Sequence, residues 1–151
     1  MQTDITLQEL IHFLQKVPGF SEMPEMDLET LIAPITSIAI FEPGQYIIRR
    51  GTEGRTLYIT YKGRVRINVP APHDPDQHFF VDEGNLFGEM SLVSNQKRGA
   101  DVIAASQVIC LTIDVETFQS VMRHYWRVTK AIAGLIGQRI VTNEISKNRK
   151  S

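Results

Sequence analysis

The residues best suited to chemistry lie in one short segment, GNLFGEMSL at 84–92, and in the polar stretch that follows it. Gly88 opens a short apolar run, which is the pattern of a turn that leads into a helix N-terminus. The free N–H groups at such an end attract anions, and a glycine lets a ligand approach them closely. Arg98 adds a planar guanidinium that suits two oxygens of one phosphate. The pattern therefore predicts a phosphate site.

Glu89 is unexpected beside a phosphate because both groups are negative. A carboxylate has a role there if the ligand also carries a hydroxyl group, as a ribose does. Phosphate and ribose held over one turn predict a nucleotide ligand. A simpler interpretation stays open, in which Glu89 is a favourable charge in the first turn of a helix and Arg98 is a loop arginine.

Composition limits the class of protein. The 151 residues are enough for one domain, and 42% hydrophobic with 22% charged residues is typical of a globular protein. Sixteen Lys and Arg against seventeen Asp and Glu give a net charge of −1, which disfavours direct nucleic acid binding. The longest apolar stretch, 131–137, is too short for a membrane span. Without a signal peptide, and with Cys110 as a single cysteine, we expect a cytoplasmic protein.

The order of sequence patterns predicts an α+β fold in a single domain over 1–151. Residues 1–35 have helical spacing, with a capping box at Thr6 and Glu9 and a second helix from about Pro24 to Pro34. Residues 36–113 contain six short β-rich runs separated by glycines, at 46–48, 57–61, 65–69, 79–81, 102–104 and 108–113, and apolar and polar residues alternate strictly in the run at 65–69. This pattern predicts a jelly-roll β-barrel. Two C-terminal helices should follow over 114–148, the first capped by Asp114.

Two segments carry a family resemblance. FGEMSL at 87–92 with RGA at 98–100 resembles the phosphate-binding cassette of the cyclic nucleotide-binding domain family, the type found in the cAMP receptor protein and in regulatory subunits of protein kinase A. FEPGQYIIRRGTEG at 41–54 and LYITYKGRV at 57–65 resemble the glycine-spaced strands of the same family. The resemblance covers nearly the whole chain.

The resemblance implies a role for each matching residue. Arg98 should pair with the cyclic phosphate, Glu89 should accept a hydrogen bond from the ribose 2′-hydroxyl, and Gly88 should give room for the ligand. The further ligand-binding candidates lie in the cassette, on two strands and on the last helix: Met90, Ser91, Gly99, Ala100, Ile67, Val81, Arg139 and Asn143.

Three residues depart from the family pattern. Gly99 stands where Ala, Ser or Thr is usual, so a hydroxyl group that can favour guanine is missing and cAMP is expected to bind better than cGMP. Asp101 replaces a frequent Thr or Ser and is expected to lower affinity through its negative charge. Arg55 occupies a barrel-turn position that is often acidic.

The function implied by the resemblance is regulatory and not enzymatic. A cyclic nucleotide, with no metal, should bind and act through the C-terminal helix on an effector domain or a separate partner protein. The same helix could also pack on a second copy, which makes a homodimer a further expectation.

Two alternatives come from other classes of protein. The fold could have lost its ligand and serve only as an interaction module. It could also be a cupin-like metalloenzyme, which needs histidines that converge from neighbouring strands. The four histidines, at positions 12, 73, 78 and 124, include no His-x-His pair, which disfavours the enzyme.

Overall fold

The structure, a computed structural model, describes residues 4–89 and 97–123 together with Tyr125, Ile132 and Gly134. The chain begins with helix α1, Leu7–Leu14. The predicted cap is present, because the Thr6 hydroxyl accepts a hydrogen bond from the Glu9 N–H at 3.1 Å. Ile11 and Leu14 on this helix are buried against the barrel.

The second helical segment differs from its prediction in type. After a 3₁₀ turn at Phe20–Glu22, helix α2 spans Glu25–Asp27 and continues as a π-helix, Leu28–Ile32, and a 3₁₀ turn, Ala33–Ile35. The expected start and end are confirmed, but most of the segment is not α-helical. A proline cannot supply the N–H that regular α-helical bonding through Pro34 would need, and its ring crowds the preceding turn.

The described residues include eight strands, which form two antiparallel four-stranded sheets in the orders β1-β8-β3-β6 and β2-β7-β4-β5. The strands are β1 Thr36–Phe41, β2 Tyr46–Ile48, β3 Thr56–Lys62, β4 Val65–Asn68, β5 His78–Val81, β6 Leu86–Phe87, β7 Asp101–Ala104 and β8 Val108–Asp114. The sequence patterns identified six of these strands and missed β1 and β6.

Strand β8 divides the core into two clusters. Leu111 and Ile113 on this strand are buried with the N-terminal helices, whereas Val108 and Cys110 are buried between the two sheets. The alternating direction of side chains along a strand produces this division. Cys110 is buried, and this burial raises the pKa of its thiol to about 12.

Helix α3, Val115–Met122, follows β8 directly. The Asp114 carboxylate caps it by accepting the Thr117 N–H at 3.0 Å, as predicted, and this bond lowers the pKa of Asp114. Phe118 and Met122 are buried against the helical side of the barrel. In the parts of the chain that the structure describes, no helix is both long and apolar enough to cross a membrane.

Candidate functional site

Arg98 lies half-buried between two strand ends. One guanidinium nitrogen, Nη2, donates to the Thr56 carbonyl at 3.0 Å, and the other, Nη1, donates to the Gly88 carbonyl at 3.3 Å. Thr56 begins β3 and Gly88 follows β6, so one side chain joins two neighbouring strands of the same sheet. This placement differs from the exposed loop arginine of the simpler interpretation.

The backbone of Arg98 is held as firmly as its side chain. Its N–H donates to the Thr52 carbonyl at 2.8 Å, and its carbonyl accepts the Gly51 N–H at 2.8 Å. Both partners belong to the turn between β2 and β3. The position of the guanidinium is therefore set by a turn that is distant in sequence.

Two glycines make room for the Arg98 side chain. A β-carbon on Gly54 would come within 2.9 Å of Arg98 Nε, and one on Gly88 would lie 3.3 Å from Arg98 Nη1 and 3.0 Å from the Thr56 carbonyl oxygen. Gly88 also has a φ of +78°, in the region that disfavours other residues. The glycines that the sequence pattern singled out thus form the surface on which the guanidinium rests.

Glu89 is almost fully buried, with 2% of its surface exposed. Burial lowers the pKa of Arg98, while the nearby Tyr58 and Glu89 oppose that shift. The positive charge of Arg55 lowers the pKa of Arg98 further. The buried carboxylate of Glu89 and the guanidinium of Arg55 therefore both lie close enough to Arg98 to affect its charge.

Tyr58 closes one side of the site and was not singled out by sequence reasoning. Its ring stacks on Phe87 with a centroid distance of 4.9 Å and an interplanar angle of 2°. Burial raises the pKa of Tyr58, and the charge of Arg98 partly offsets this. The signal in the sequence is the β3 alternation, which places Tyr58 on the side of the strand opposite Leu57 and Ile59.

The remaining predicted site residues fall into three groups. Ile67 and Val81 are buried between the two sheets, and Ala100 packs against the same cluster. Gly99 is exposed, and a β-carbon there would meet nothing within 4 Å. The other candidates, Met90, Ser91, Arg139 and Asn143, lie outside the described residues.

Asp101 makes a specific contact that the sequence did not reveal. Its Oδ1 accepts the Arg50 N–H at 2.7 Å, next to the Gly51 and Thr52 bonds that hold the backbone of Arg98. A hydrogen bond from a backbone N–H to a charged carboxylate is stronger than one to a neutral acceptor, so it stabilises the turn. The contact ties strand β7 to the turn that positions Arg98.

This contact changes the expected effect of substituting Asp101. If the carboxylate positions Arg98, Asp101→Ala should weaken cyclic nucleotide binding by about 2- to 12-fold, the value of one hydrogen bond. Asp101→Asn keeps a carbonyl acceptor and should bind nearly as wild type does. The sequence-based expectation of charge repulsion gives the opposite result, in which both substitutions strengthen binding in a calorimetric titration.

Among the described residues, no group of three or more His, Cys, Asp and Glu side chains is arranged to hold a metal ion. His12 lies on α1, His73 in the loop between β4 and β5, and His78 at the start of β5. His124 lies outside the described residues. The described histidines therefore lie on one N-terminal helix and around the β4–β5 loop.

The model of the cyclic nucleotide-binding domain family matches residues 39–125, which is more than half of the chain. The chain belongs to the cyclic nucleotide-binding domain family. This confirms the resemblance inferred from the cassette and the barrel glycines. The matched range includes Glu89 and Arg98.

Curated relatives of this cyclic nucleotide-binding domain include cGMP-dependent protein kinases. It is 34% identical to cGMP-dependent protein kinase 2 of Mus musculus over 132 residues, which is 85% of this chain and 17% of the kinase. The human enzyme is 34% identical over 128 residues, covering 83% of this chain and 17% of the kinase. The chain therefore spans less than a fifth of the length of these relatives.

Solved structures support the same fold. The regulatory subunit of a cAMP-independent protein kinase A from Trypanosoma brucei is 28% identical, with a TM-score of 0.73 over 87% of this chain and 46% of that chain. The catabolite activator protein of Thermus thermophilus is 22% identical, with a TM-score of 0.74 over 85% of this chain and 60% of that chain. The predicted jelly-roll barrel with flanking helices, an α+β fold, is confirmed.

Proposed function

We propose that this chain is a sensor for a cyclic purine nucleotide, with Arg98 as the partner of the cyclic phosphate. The observation that carries the proposal is the half-buried guanidinium, held between two strand ends beside the buried Glu89. A guanidinium in such a setting is an efficient partner for a phosphate because its planar fork matches two oxygens.

The present partners of Arg98 are compatible with this role. The bond to the Gly88 carbonyl is long, at 3.3 Å, so little is lost when a phosphate oxygen takes its place. The shorter bond to Thr56 can remain and orient the guanidinium. Exchanging a neutral carbonyl for an anion would also offset the cost of burying the positive charge.

Glu89 would bind the ribose. A buried carboxylate beside the phosphate partner is a strong acceptor for the 2′-hydroxyl group. Because the same carboxylate repels anions, this arrangement favours a ligand that carries a hydroxyl group next to its phosphate over a simple phosphate ester.

The role of Glu89 predicts a strong dependence on the ribose. The 2′-deoxy analogue of the ligand should bind wild type about tenfold more weakly, because the buried carboxylate would lose its donor. In Glu89→Ala the difference between ribose and deoxyribose ligands should nearly vanish. Calorimetric titration of both ligands against both proteins measures the coupling, with circular dichroism as a control for folding, and equal wild-type affinities for the two ligands would contradict the role.

Our preferred ligand is cAMP. Gly99 lacks the hydroxyl group through which guanine is often favoured, and this exposed position offers no other polar side-chain atom. The second candidate is cGMP, which is favoured by one observation: the curated relatives are cGMP-dependent kinases.

Titration calorimetry with cAMP, cGMP and guanosine tests the proposal. Guanosine is included because it lacks the phosphate, so it tests whether binding depends on that group. One structural relative at 26% identity is the regulatory subunit of a cAMP-independent kinase, so the fold alone does not decide the ligand. Tighter binding of cAMP supports the preferred ligand, and tighter binding of cGMP supports the second candidate. Heat with guanosine alone would overturn the role of Arg98, and no heat with any ligand would favour an interaction module.

The output of the sensor is regulatory and not catalytic in this proposal. A ligand shifts a conformational equilibrium only through its different affinities for two states, by about 1–3 kcal/mol in typical cases. We infer that the C-terminal helix transmits this shift to an effector domain or a partner protein, with a second copy of the chain as a further partner. The kinase relatives support an effector of the kinase type.

A further inference from the structure

One row of side chains crosses the outer face of the sheet β2-β7-β4-β5. The strand registers place Tyr46 opposite Ile103, Ile103 opposite Arg66, and Arg66 opposite Phe80. The residues next to these in each strand, such as Ile67 and Val102, are buried between the sheets. Because side chains alternate along a strand, the row points away from the barrel interior. Tyr46 and Phe80 remain 39% and 41% exposed, which is high for aromatic side chains. We call Tyr46, Ile103, Arg66 and Phe80 the outer row.

An arginine stacks on the aromatic ring at each end of the outer row. The guanidinium carbon of Arg49 lies 4.1 Å from the ring centre of Tyr46, and that of Arg64 lies 4.2 Å from the ring centre of Phe80. Stacking uses the flat face of a guanidinium and directs its N–H edge outward. The N–H groups of Arg49 and Arg64 are therefore available at the two ends of the apolar surface formed by Tyr46, Ile103 and Phe80.

The local charge differs from that of the whole chain. Three arginines, Arg49, Arg64 and Arg66, lie on or against the row, whereas the chain has a net charge of −1. Asp82 offsets part of this charge through a 2.8 Å bond to Arg64, a pair in which both side chains are more than half exposed. Such an exposed pair is weak and exchanges easily with a carboxylate from another molecule.

The neighbouring row adds groups that matter for charge. Asn68 accepts a 2.8 Å bond from Arg66 Nε, and His78 meets the edge of the Phe80 ring with a centroid distance of 5.4 Å. Asp101 is paired with Asn68 in register and is engaged with the Arg50 N–H. The outer row is thus positively charged, and the neighbouring row of His78, Asn68 and Asp101 adds a negative charge on one side of it.

We propose that the outer row docks an acidic protein segment that carries an apolar residue. Carboxylates would bind the arginine edges, and the apolar residue would cover Ile103 between Tyr46 and Phe80. Exposed tyrosine and arginine are the residue types enriched where proteins bind one another. This surface lies on the opposite side of the sheet from Ile67 and Val81, so the proposal does not depend on the nucleotide proposal.

The test uses a fluorescein-labelled short peptide of Glu and Asp residues around a central Leu-Phe pair, measured by fluorescence anisotropy with the full chain. Its matched control is the same peptide with Gln and Asn in place of the acids. We expect the acidic peptide to bind, and Arg66→Glu to weaken that binding about tenfold. Arg123→Glu, an exposed arginine that caps the C-terminal end of α3, should change the affinity by less than about twofold. NMR shift changes should centre on Ile103 and Phe80.

Three kinds of outcome contradict the proposal, and one control shows that the variant is folded. If Arg66→Glu and Arg123→Glu weaken peptide binding equally, or if the NMR shift changes lie away from Ile103 and Phe80, the peptide is attracted by general charge and not by the outer row. Tighter binding of a single-stranded DNA oligonucleotide or of phosphatidylserine vesicles than of the peptide, lost in Arg66→Glu, would assign the surface to a different class of partner. A wild-type dimer in sedimentation that Arg66→Glu dissociates would make a second copy the occupant. Unchanged cyclic nucleotide affinity and thermal unfolding in Arg66→Glu would show that the fold and the nucleotide site remain intact.

Discussion

Arg98→Ala is expected to weaken cyclic nucleotide binding by about 30- to 4,000-fold while the barrel remains folded. The ligand phosphate would enter a partly buried site without its charge partner, a loss of about 2–5 kcal/mol. Stability should fall by about 1–3 kcal/mol, because the substitution removes the hydrogen bonds to the Thr56 and Gly88 carbonyls. Titration calorimetry measures the first effect and thermal unfolding the second.

Two further variants separate this role from a general charge effect. Arg98→Lys keeps the charge but not the planar fork, and it should recover little of the lost affinity. Arg123→Ala removes an exposed arginine at the end of α3 and should bind as wild type does. Near wild-type affinity in Arg98→Ala would refute the assignment of Arg98 as the phosphate partner.

The parts of the site predicted from sequence are residues whose type has few possible chemical roles. Gly88 and Arg98 stood out because a glycine beside a potential phosphate partner has a clear chemical meaning. The structure adds the turn at Gly51 and Thr52, which holds the backbone of Arg98. No local pattern could reveal these bonds, because they join segments that are far apart in the chain and depend on the strand register.

The same distinction holds for the fold. Strand β4 was predicted because apolar and polar residues alternate strictly in its sequence, and its burial alternates in the same way. Strand β1 has half-buried and exposed residues without a regular order. Strand β6 has only two residues, Leu86 and Phe87, which is too short for any periodicity. Short and edge strands depend on tertiary pairing, so their sequences carry little signal of their own.

Asp101 has a contact that its residue type does not reveal. Its charge near a phosphate site predicts repulsion, which stays a prediction, and the structure adds a bond from the Arg50 N–H to its carboxylate at 2.7 Å. The outer row illustrates the same limit, since Arg64 and Phe80 meet only because β4 and β5 pair in one particular register. The role of a single side chain can be predicted from the sequence. A contact that depends on which strands pair, and in which register, cannot.

Gly54→Ala should lower cyclic nucleotide affinity about tenfold with little change in stability. The new methyl group would lie 2.9 Å from Arg98 Nε and 3.1 Å from Nη2, so the guanidinium must move. Movement of a flexible side-chain end costs little folding free energy, but a displaced fork no longer aligns with two phosphate oxygens. Gly54 does not have the positive φ that makes a β-carbon a source of strain, so the effect should come from Arg98 alone.

The control for Gly54→Ala is the same substitution in a chain that lacks the guanidinium. In the double variant Gly54→Ala with Arg98→Ala, the Gly54 substitution should add no further loss, because the guanidinium that it displaces is already gone. An additive loss in the double variant would show that Gly54 acts on the ligand directly. Wild-type affinity in Gly54→Ala alone would show that the position of the guanidinium set by Gly54 does not matter for binding.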